Sequence, residues 1–169
     1  MAVVNLVGSL VMDGLDDVPK SLADPGQAGA SVKVWTETVE VGAADTTSST
    51  YLMARLPSNA IILPASTVYW DDLTTTGSPT VDAGVFNMSG KSDFTDDPDA
   101  LSNGHNVTSA GSGALITQGA SISDYGQPLW DHISGVSTDP KTDVDIKLKL
   151  VDASVVGGGT MSVVIYYTE

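Results

Sequence analysis

The sequence predicts an all-β protein built as an antiparallel β-sandwich. Apolar residues recur with a period of two in most stretches that carry a pattern, as expected of strands with one buried face. Of the 21 acidic residues 18 are Asp, and Asp favours turns and caps over helix interiors. Segments rich in Gly, Ser and Thr separate the apolar stretches, and none of these stretches predicts a helix longer than two turns.

Length and charge restrict the possible classes of protein. A chain of 169 residues with 41% hydrophobic content is most simply one domain, and a chain of this size buries about 70% of its unfolded surface. The net charge of −14 repels phosphate backbones and anionic membrane surfaces, so we expect neither nucleic acid nor membrane as a partner. The chain has no Cys, which excludes disulfides and zinc–thiolate sites.

The N-terminal residues 1–30 are predicted to lie outside the sandwich, which would then span residues 31–169. Val3–Val11 is apolar but has no preceding basic region, so we interpret it as a strand and not as a secretion signal. Asp13–Ala30 contains two Pro and four Asp and has no periodicity. It is either an extended arm that contacts a neighbouring chain or a loop that packs on its own domain.

The next two predicted strands flank a loop of small polar residues, Gly42–Thr50. In the first strand, Val32–Val41, the apolar phase changes between Val34 and Trp35, which predicts a β-bulge. In the second strand the core face is predicted to hold Leu52, Ala54 and Leu56, with Met53 and Arg55 on the exposed face. Pro57–Asn59 then predicts a turn.

A longer strand follows this turn and is interrupted by proline. Ala60–Leu63 is a continuous apolar run, as expected of a strand covered on both faces. Pro64 cannot donate to a sheet and predicts a break at an edge or a bulge, after which Val68–Trp70 resumes the strand. Beyond the polar loop Thr74–Thr80, the next strand is predicted to alternate Val81, Ala83 and Val85 with Asp82 and Gly84.

The second half of the chain opens with a long acidic segment, Asn87–Gly113, which we interpret as a loop. Within it Asp97 is predicted to cap a short helical turn, with Pro98 at the first helical position and Gly104 beyond the end. Short strands are predicted at Leu115–Ile116 and Pro128–Ile133.

Two strongly alternating strands close the chain and are predicted to form a hairpin. Their apolar positions are Val144, Ile146, Leu148 and Leu150 in the first strand, and Met161, Val163, Ile165 and Tyr167 in the second. Gly157–Gly159 lies between them and supplies the backbone freedom of a turn. Eight or nine short strands separated by long polar loops favour the jelly-roll form of the sandwich.

Clustered carboxylates are the candidates for a metal site, since carboxylate oxygens are typical ligands of Ca²⁺. One group comprises Asp93, Asp96, Asp97 and Asp99, and a second comprises Asp13, Asp16 and Asp17. Neither spacing matches a helix–loop–helix calcium loop or a glycine-rich nonapeptide repeat. Solvated loop acids are therefore the simpler interpretation: we predict no metal site, and the first group stands as a weak calcium candidate.

The sequence contains no evident catalytic constellation. His105 and His132 are the two imidazoles, but no G-x-S-x-G motif is present and nothing in the sequence ties either His to a nucleophilic Ser. A glycosidase needs two acids at a fixed gap across a cleft, and pairs such as Asp71 and Asp72 do not establish one. We predict no catalytic residue, no cofactor-binding residue and no cofactor.

Five segments from about Tyr51 to Tyr167 share a pattern of strands and loops. They read LPSNAIIL, STVYWDDL, TVDAGVFN, the Asp-rich DPDALSNGHNVTSAG and a closing VVIYYT. This pattern resembles small virion structural proteins of tailed bacteriophages. The resemblance implies a jelly-roll or related sandwich, without catalytic residues, that decorates or cements the outer surface of the capsid.

The resemblance also implies partners, namely the major capsid protein and further copies of the same chain. Symmetric self-association supplies contact area that a single small sandwich lacks, and a trimer would suit the local threefold positions of an icosahedral shell. A small jelly-roll subunit of the capsid lattice is a variant of this interpretation, and two alternatives stay open. A carbohydrate- or receptor-binding module of a tail or fibre needs two of Trp35, Trp70 and Trp130 exposed on one face, and a glycan hydrolase needs paired acids.

Overall fold

The computed structural model describes residues 31–73, 77–116 and 124–169. Within these ranges it contains nine β-strands, two short 3₁₀ helices and no α-helix, so none of the described helices is long and apolar enough to cross a membrane. The strands are β1 Lys33–Val41, β2 Thr50–Pro57, β3 Ile61–Ile62, β4 Thr67–Trp70, β5 Thr80–Phe86, β6 Asp97–Asn106, β7 Gly111–Ala114, β8 Asp143–Val151 and β9 Gly159–Thr168. The 3₁₀ helices are Asp124–Gly126 and Leu129–His132. The predicted strand Val3–Val11, the predicted arm Asp13–Ala30 and its acidic group lie outside the described residues.

Two antiparallel sheets pack face to face, which confirms the predicted β-sandwich. One sheet has the order β1-β9-β4-β7, and β3 pairs with the same edge of β9 as β4 does. The other sheet has the order β2-β8-β5-β6. When β3 and β4 are counted as one interrupted strand, successive strands alternate between the sheets except at the β5–β6 pair. This is the eight-stranded connectivity of a jelly roll, built from two Greek keys.

The core lies between the sheets and takes the inward residues of both. The central strands supply Val144, Ile146, Leu148 and Leu150 from β8 and Met161, Val163 and Ile165 from β9, each at most 1% exposed. The alternation predicted for these strands is confirmed, but the predicted hairpin is wrong, because β8 and β9 belong to opposite sheets and face each other across the core. A period of two identifies the buried face of a strand and not its pairing partner.

The interruption at Pro64 is confirmed. β3 and β4 both pair with β9, and Pro64 lies exposed in the gap between them. The preceding turn is also present, since the amide of Ala60 donates to the carbonyl of Pro57 at 2.9 Å. Ile61 and Ile62 are both buried, as expected of a strand covered on two faces.

β1 runs without a bulge. Its pairing with β9 continues from Lys33 to Val41 with no register shift, so the bulge predicted at Val34 and Trp35 is wrong. β1 is the edge strand of its sheet, and both of its faces are largely exposed. Apolar residues on such a strand therefore need not keep to one face, and a change of apolar phase does not require an extra residue.

The bulge is in β2 instead. The register of β2 against β8 shifts between Leu52 and Ala54, and the extra residue turns Met53 into the core, where it is 1% exposed. Leu52 is 49% exposed. The faces predicted for Leu52 and Met53 are therefore reversed, because a bulge breaks the strict alternation on which the prediction rested.

The acidic segment after β5 contains a strand and not a capped helical turn. Asp97–Asn106 forms β6 at the edge of its sheet, where Pro and charged residues are tolerated because one side of the strand needs no partner. The register of β6 shifts twice against β5. Gly84 permits one of these irregularities, since a Cβ there would lie 2.2 Å from the carbonyl oxygen of Asp97 and 2.3 Å from that of Pro98.

The two short strands predicted after this segment are also corrected. β7 ends at Ala114, so Leu115–Ile116 follows the strand as a buried pair. Pro128–Ile133 holds a 3₁₀ helix, in which the amide of Asp131 donates to the carbonyl of Pro128 at 3.0 Å. The buried side chain of Leu129 explains the apolar pattern. The amide of Leu129 donates a hydrogen bond to the carbonyl of Ala60 at 2.8 Å.

Candidate functional site

The outward face of the five-stranded sheet is almost free of charge. Residues paired directly across antiparallel strands lie on the same face, so the register identifies the outward set. It comprises Val34, Thr36, Thr38 and Glu40 of β1, Thr160, Ser162, Val164 and Tyr166 of β9, Thr67 and Tyr69 of β4, and Ser112 and Ala114 of β7. Thr168 of β9 and its partner Ile61 of β3 belong to the same side but are buried. We call this set the hydroxyl-rich face. Among these strand residues, Glu40 has the one charged side chain.

The outward face of the four-stranded sheet has the opposite character. Its charged residues are Arg55, Asp82, Asp143, Asp145, Lys147 and Lys149. Asp145 is 2% exposed, accepts a hydrogen bond from Arg55 Nε at 2.7 Å and lies 3.7 Å from Lys147 Nζ. Lys147 Nζ also lies 5.0 Å from the centre of the Phe86 ring. Acids and bases neutralise each other locally on this face, and the hydrogen bond to Asp145 raises the pKa of Arg55.

A polar cluster lies inside the sandwich where β6 approaches β4 and β7. Ser102 Oγ and His105 Nε2 are 2.9 Å apart, although residues three apart on a regular strand point to opposite faces. One extra residue in β6 brings them to the same side: Ser102 pairs with Ala83 and His105 with Val81. Gly104 sits in this bulge with a φ of +74°. Sequence reasoning missed the pair because no local pattern announces a bulge in a segment interpreted as a loop.

This cluster is closed to solvent at the serine. Ser102 is 0% exposed, and the His105 ring packs 5.4 Å from the ring of Trp70. Gly113 leaves room for that ring, since a Cβ there would lie 2.6 Å from His105 Nδ1. Burial lowers the pKa of His105 and raises the pKa of the neighbouring Asp82. Asp82 Oδ1 accepts a hydrogen bond from the amide of Gly104 at 2.8 Å. Because the Ser102 hydroxyl is not accessible to a substrate, we interpret the pair as a structural hydrogen bond in the core and not as a catalytic pair.

The four calcium candidates do not converge. Asp96, Asp97 and Asp99 accept hydrogen bonds from Asn87, Ser134 and Asn103, respectively. The backbone amide of Asp93 donates a hydrogen bond to Asn87 Oδ1 at 2.8 Å. Within the described ranges, no group of three or more His, Asp or Glu side chains is arranged to hold a metal ion. Calcium binding by this group stays a weak prediction.

The remaining candidates for chemistry are Asp71, which has structural partners, and His132. Asp71 Oδ2 accepts from the amide of Thr160 at 2.9 Å and from its hydroxyl at 2.7 Å, which lowers the pKa of Asp71. These bonds join the end of β4 to the start of β9. His132 lies half-buried at the end of the second 3₁₀ helix.

Two of the three tryptophans point inward from the five-stranded sheet. Trp35 pairs with the buried Ile165, and its Nε1 donates across to the carbonyl of Met53 in the other sheet at 2.9 Å. Trp70 packs beneath Gly111 and donates its Nε1 to Ser109 at 2.9 Å. The third, Trp130, lies half-buried in a 3₁₀ helix. Trp35 and Trp70 therefore do not form a stacking platform on an outward sheet face.

Two solved structures resemble this fold over most of the chain. A chain of the capsid of Ralstonia phage GP4 has a TM-score of 0.59 and 18% identity, with 82% of this chain and 84% of that chain covered. A chain of the capsid asymmetric unit of cyanophage Pam1 has a TM-score of 0.54 and 19% identity, with coverage of 93% and 99%. No family model and no curated protein matches the sequence. At these identities the likeness shows a shared fold.

Proposed function

We propose that this protein is a non-enzymatic virion structural protein, a cement or decoration subunit that binds and stabilises the outer capsid shell. The observation that carries the proposal is the likeness in fold to chains of two phage capsids. It covers 99% of the Pam1 chain and 84% of the GP4 chain. The likeness is therefore between whole small proteins and not between this chain and one domain of a much larger subunit.

The described side chains support a role that is exerted through surfaces. Ser102 is buried and His105 is half-buried, and Asp96, Asp97 and Asp99 of the candidate calcium group accept hydrogen bonds from separate donors of the protein itself. One depression in the described surface lies between loops and is lined by residues of the segments 92–95 and 134–140. A protein that cements a shell needs complementary contacts and no reactive group.

The proposed partners are the major capsid protein and further copies of this chain, with a trimer favoured. A stable contact buries about 800 Å² on each partner, and a symmetric oligomer multiplies its attachment points to the shell. We propose residues Met12–Ala30 as a tether to a neighbouring chain. Fully extended, these residues would span about 60 Å.

The test is a binding and stability measurement on phage particles. Particles that lack the protein are incubated with it, and we expect saturable co-sedimentation with a copy number that scales with the shell subunits. The particles should also release their DNA at a higher temperature after binding. Absence of the protein from native particles would refute the proposal, and so would a copy number that matches tail components.

The alternative of a carbohydrate-binding tail module loses its main requirement. That function needs two exposed tryptophans on one face. Trp35 is 37% exposed and Trp70 is half-buried, but both lie on the inward side of their sheet, and their Nε1 groups donate to backbone carbonyls. A glycan array gives the direct comparison, since specific retention of a glycan would favour the tail module.

A further inference from the structure

We infer that the hydroxyl-rich face of the five-stranded sheet is the surface through which this protein contacts a second copy of itself. The inference rests on the self-association proposed above and adds the surface that carries it. Two properties of the face support it: its lack of charge and its exposed apolar side chains.

Charge is the first argument, because a second copy carries the same net charge of −14. Two such chains repel each other least where the facing surfaces hold no carboxylates, and like charges across an interface cost several kcal/mol. On the hydroxyl-rich face the one charged strand residue, Glu40, pairs with Thr160 at one end. Asp71 binds Thr160 at that same end, so the acids are confined there. The centre of the face holds only hydroxyl and apolar side chains.

Exposure is the second argument. Val34 is 57% exposed and Tyr69 is 45% exposed on this face, and Val32, which immediately precedes β1, is 57% exposed. Aromatic residues such as Tyr are enriched at the centre of protein interfaces, where charged residues are depleted. The hydroxyl groups can also satisfy one another locally, as Thr38 Oγ1 and Ser162 Oγ do at 2.8 Å. Such a face can therefore be desolvated without leaving a charge unpaired.

The size of the hydroxyl-rich face limits the expected strength of the self-association. β1 and β9 are 9 and 10 residues long, but β4 and β7 have 4 residues each. With strands about 4.8 Å apart and about 3.3 Å per residue, the face covers roughly 400 Å². A stable interface buries about 800 Å² on each partner. The face is therefore smaller than the contact of a typical stable dimer, so we expect a weak self-association that concentration on a capsid surface would favour.

The experiment uses two double variants of the full chain that add the same charge. In the face variant, Val34→Asp and Tyr69→Asp place two acids on the hydroxyl-rich face. In the control variant, Val156→Asp and Leu52→Asp place two acids at sites that are equally exposed, at 56% and 49%, but lie elsewhere. Analytical ultracentrifugation should show the wild-type protein self-associating and the control variant behaving like it. The face variant should associate about tenfold more weakly or worse.

Circular dichroism establishes that both variants are folded, and a photo-cross-linker at position 69 identifies the occupant without adding charge. A cross-link between two copies supports the inference. A cross-link to residues 1–30 of the same chain, or to the major capsid protein alone, would overturn it. A monomeric wild-type protein, or a face variant that associates like the control, would overturn it as well.

Particle binding separates this inference from the proposed function. If the wild-type protein binds particles and the face variant still self-associates normally, the assigned surface is wrong and the cement role stands. If the face variant loses self-association but the wild-type protein does not bind particles, the surface is right and the cement role is wrong. The mass of the complex also tests the trimer: a dimer lost in the face variant would support the surface and refute the trimer.

Discussion

Alanine substitutions at Leu52 and Met53 test the bulge in β2, because strict alternation and the structure assign opposite faces to these neighbours. Each substitution removes three heavy side-chain atoms from the same strand, so the two variants are matched in size. Met53 is 1% exposed and Leu52 is 49% exposed. The carbonyl of Met53 also accepts the hydrogen bond of Trp35, which neither substitution removes.

The burial of each side chain gives the expected loss of unfolding free energy. At about 0.8 kcal/mol for each buried methylene-sized group, the transfer contribution for Met53→Ala is about 2.4 kcal/mol. A residual cavity raises the loss of unfolding free energy to about 3 kcal/mol. Leu52→Ala removes atoms that are half in water and leaves no cavity, so we expect about 1 kcal/mol or less. The difference of about 2 kcal/mol corresponds to roughly 4–8 °C in Tm for a domain of this size.

Equilibrium unfolding in urea, followed by tryptophan fluorescence and by circular dichroism, measures both losses. The two probes should give coincident transitions with an unchanged dependence on denaturant, so that a shift of midpoint reports stability. A loss for Leu52→Ala that equals or exceeds the loss for Met53→Ala would refute the bulge and restore the alternating arrangement.

Two further predictions concern ionisable groups. Burial lowers the pKa of His105, so the unfolded state binds the proton more readily and stability should fall as the pH drops below about 6.5. His105→Gln should flatten this dependence in thermal unfolding; an equal fall in the variant would assign it to another group. Millimolar Ca²⁺ would raise the Tm if the Asp93–Asp99 segment bound it, and replacing Asp96 and Asp97 by Asn would abolish the rise. We expect no rise beyond one that Mg²⁺ reproduces by screening, and a Ca²⁺-specific rise would contradict this.

The strands that sequence reasoning found are those whose signal is local. Alternation marks β8 and β9, and the missing amide of Pro64 marks the break between β3 and β4. These signals depend on each residue and its immediate neighbours. The pairing partners of β8 and β9 are not a local property. Two strands have the same alternating sequence pattern whether their apolar faces meet across a core or lie side by side in one sheet.

β6 shows why the polar cluster was missed. Its Asp, Pro and Gly residues favour loops, and only the pairing with β5 makes the segment a strand. The bulge at Gly104 then places Ser102 beside His105. Each of these steps follows from the partner strand and not from the segment itself, so the sequence of β6 alone does not predict the contact.

The charge difference between the two outward faces also arises from how the strands are arranged in the sheets. Along β9 the outward positions read Thr, Ser, Val and Tyr, while along β8 they include Asp145, Lys147 and Lys149. Each pattern by itself describes an ordinary solvated strand. The sheet order then sets β9 between β1 and β4, which also hold mainly hydroxyl or apolar residues outward, and sets β8 beside Arg55 and Asp82. A surface that a like-charged neighbour can approach therefore arises from topology, since no single strand is long or wide enough to form one.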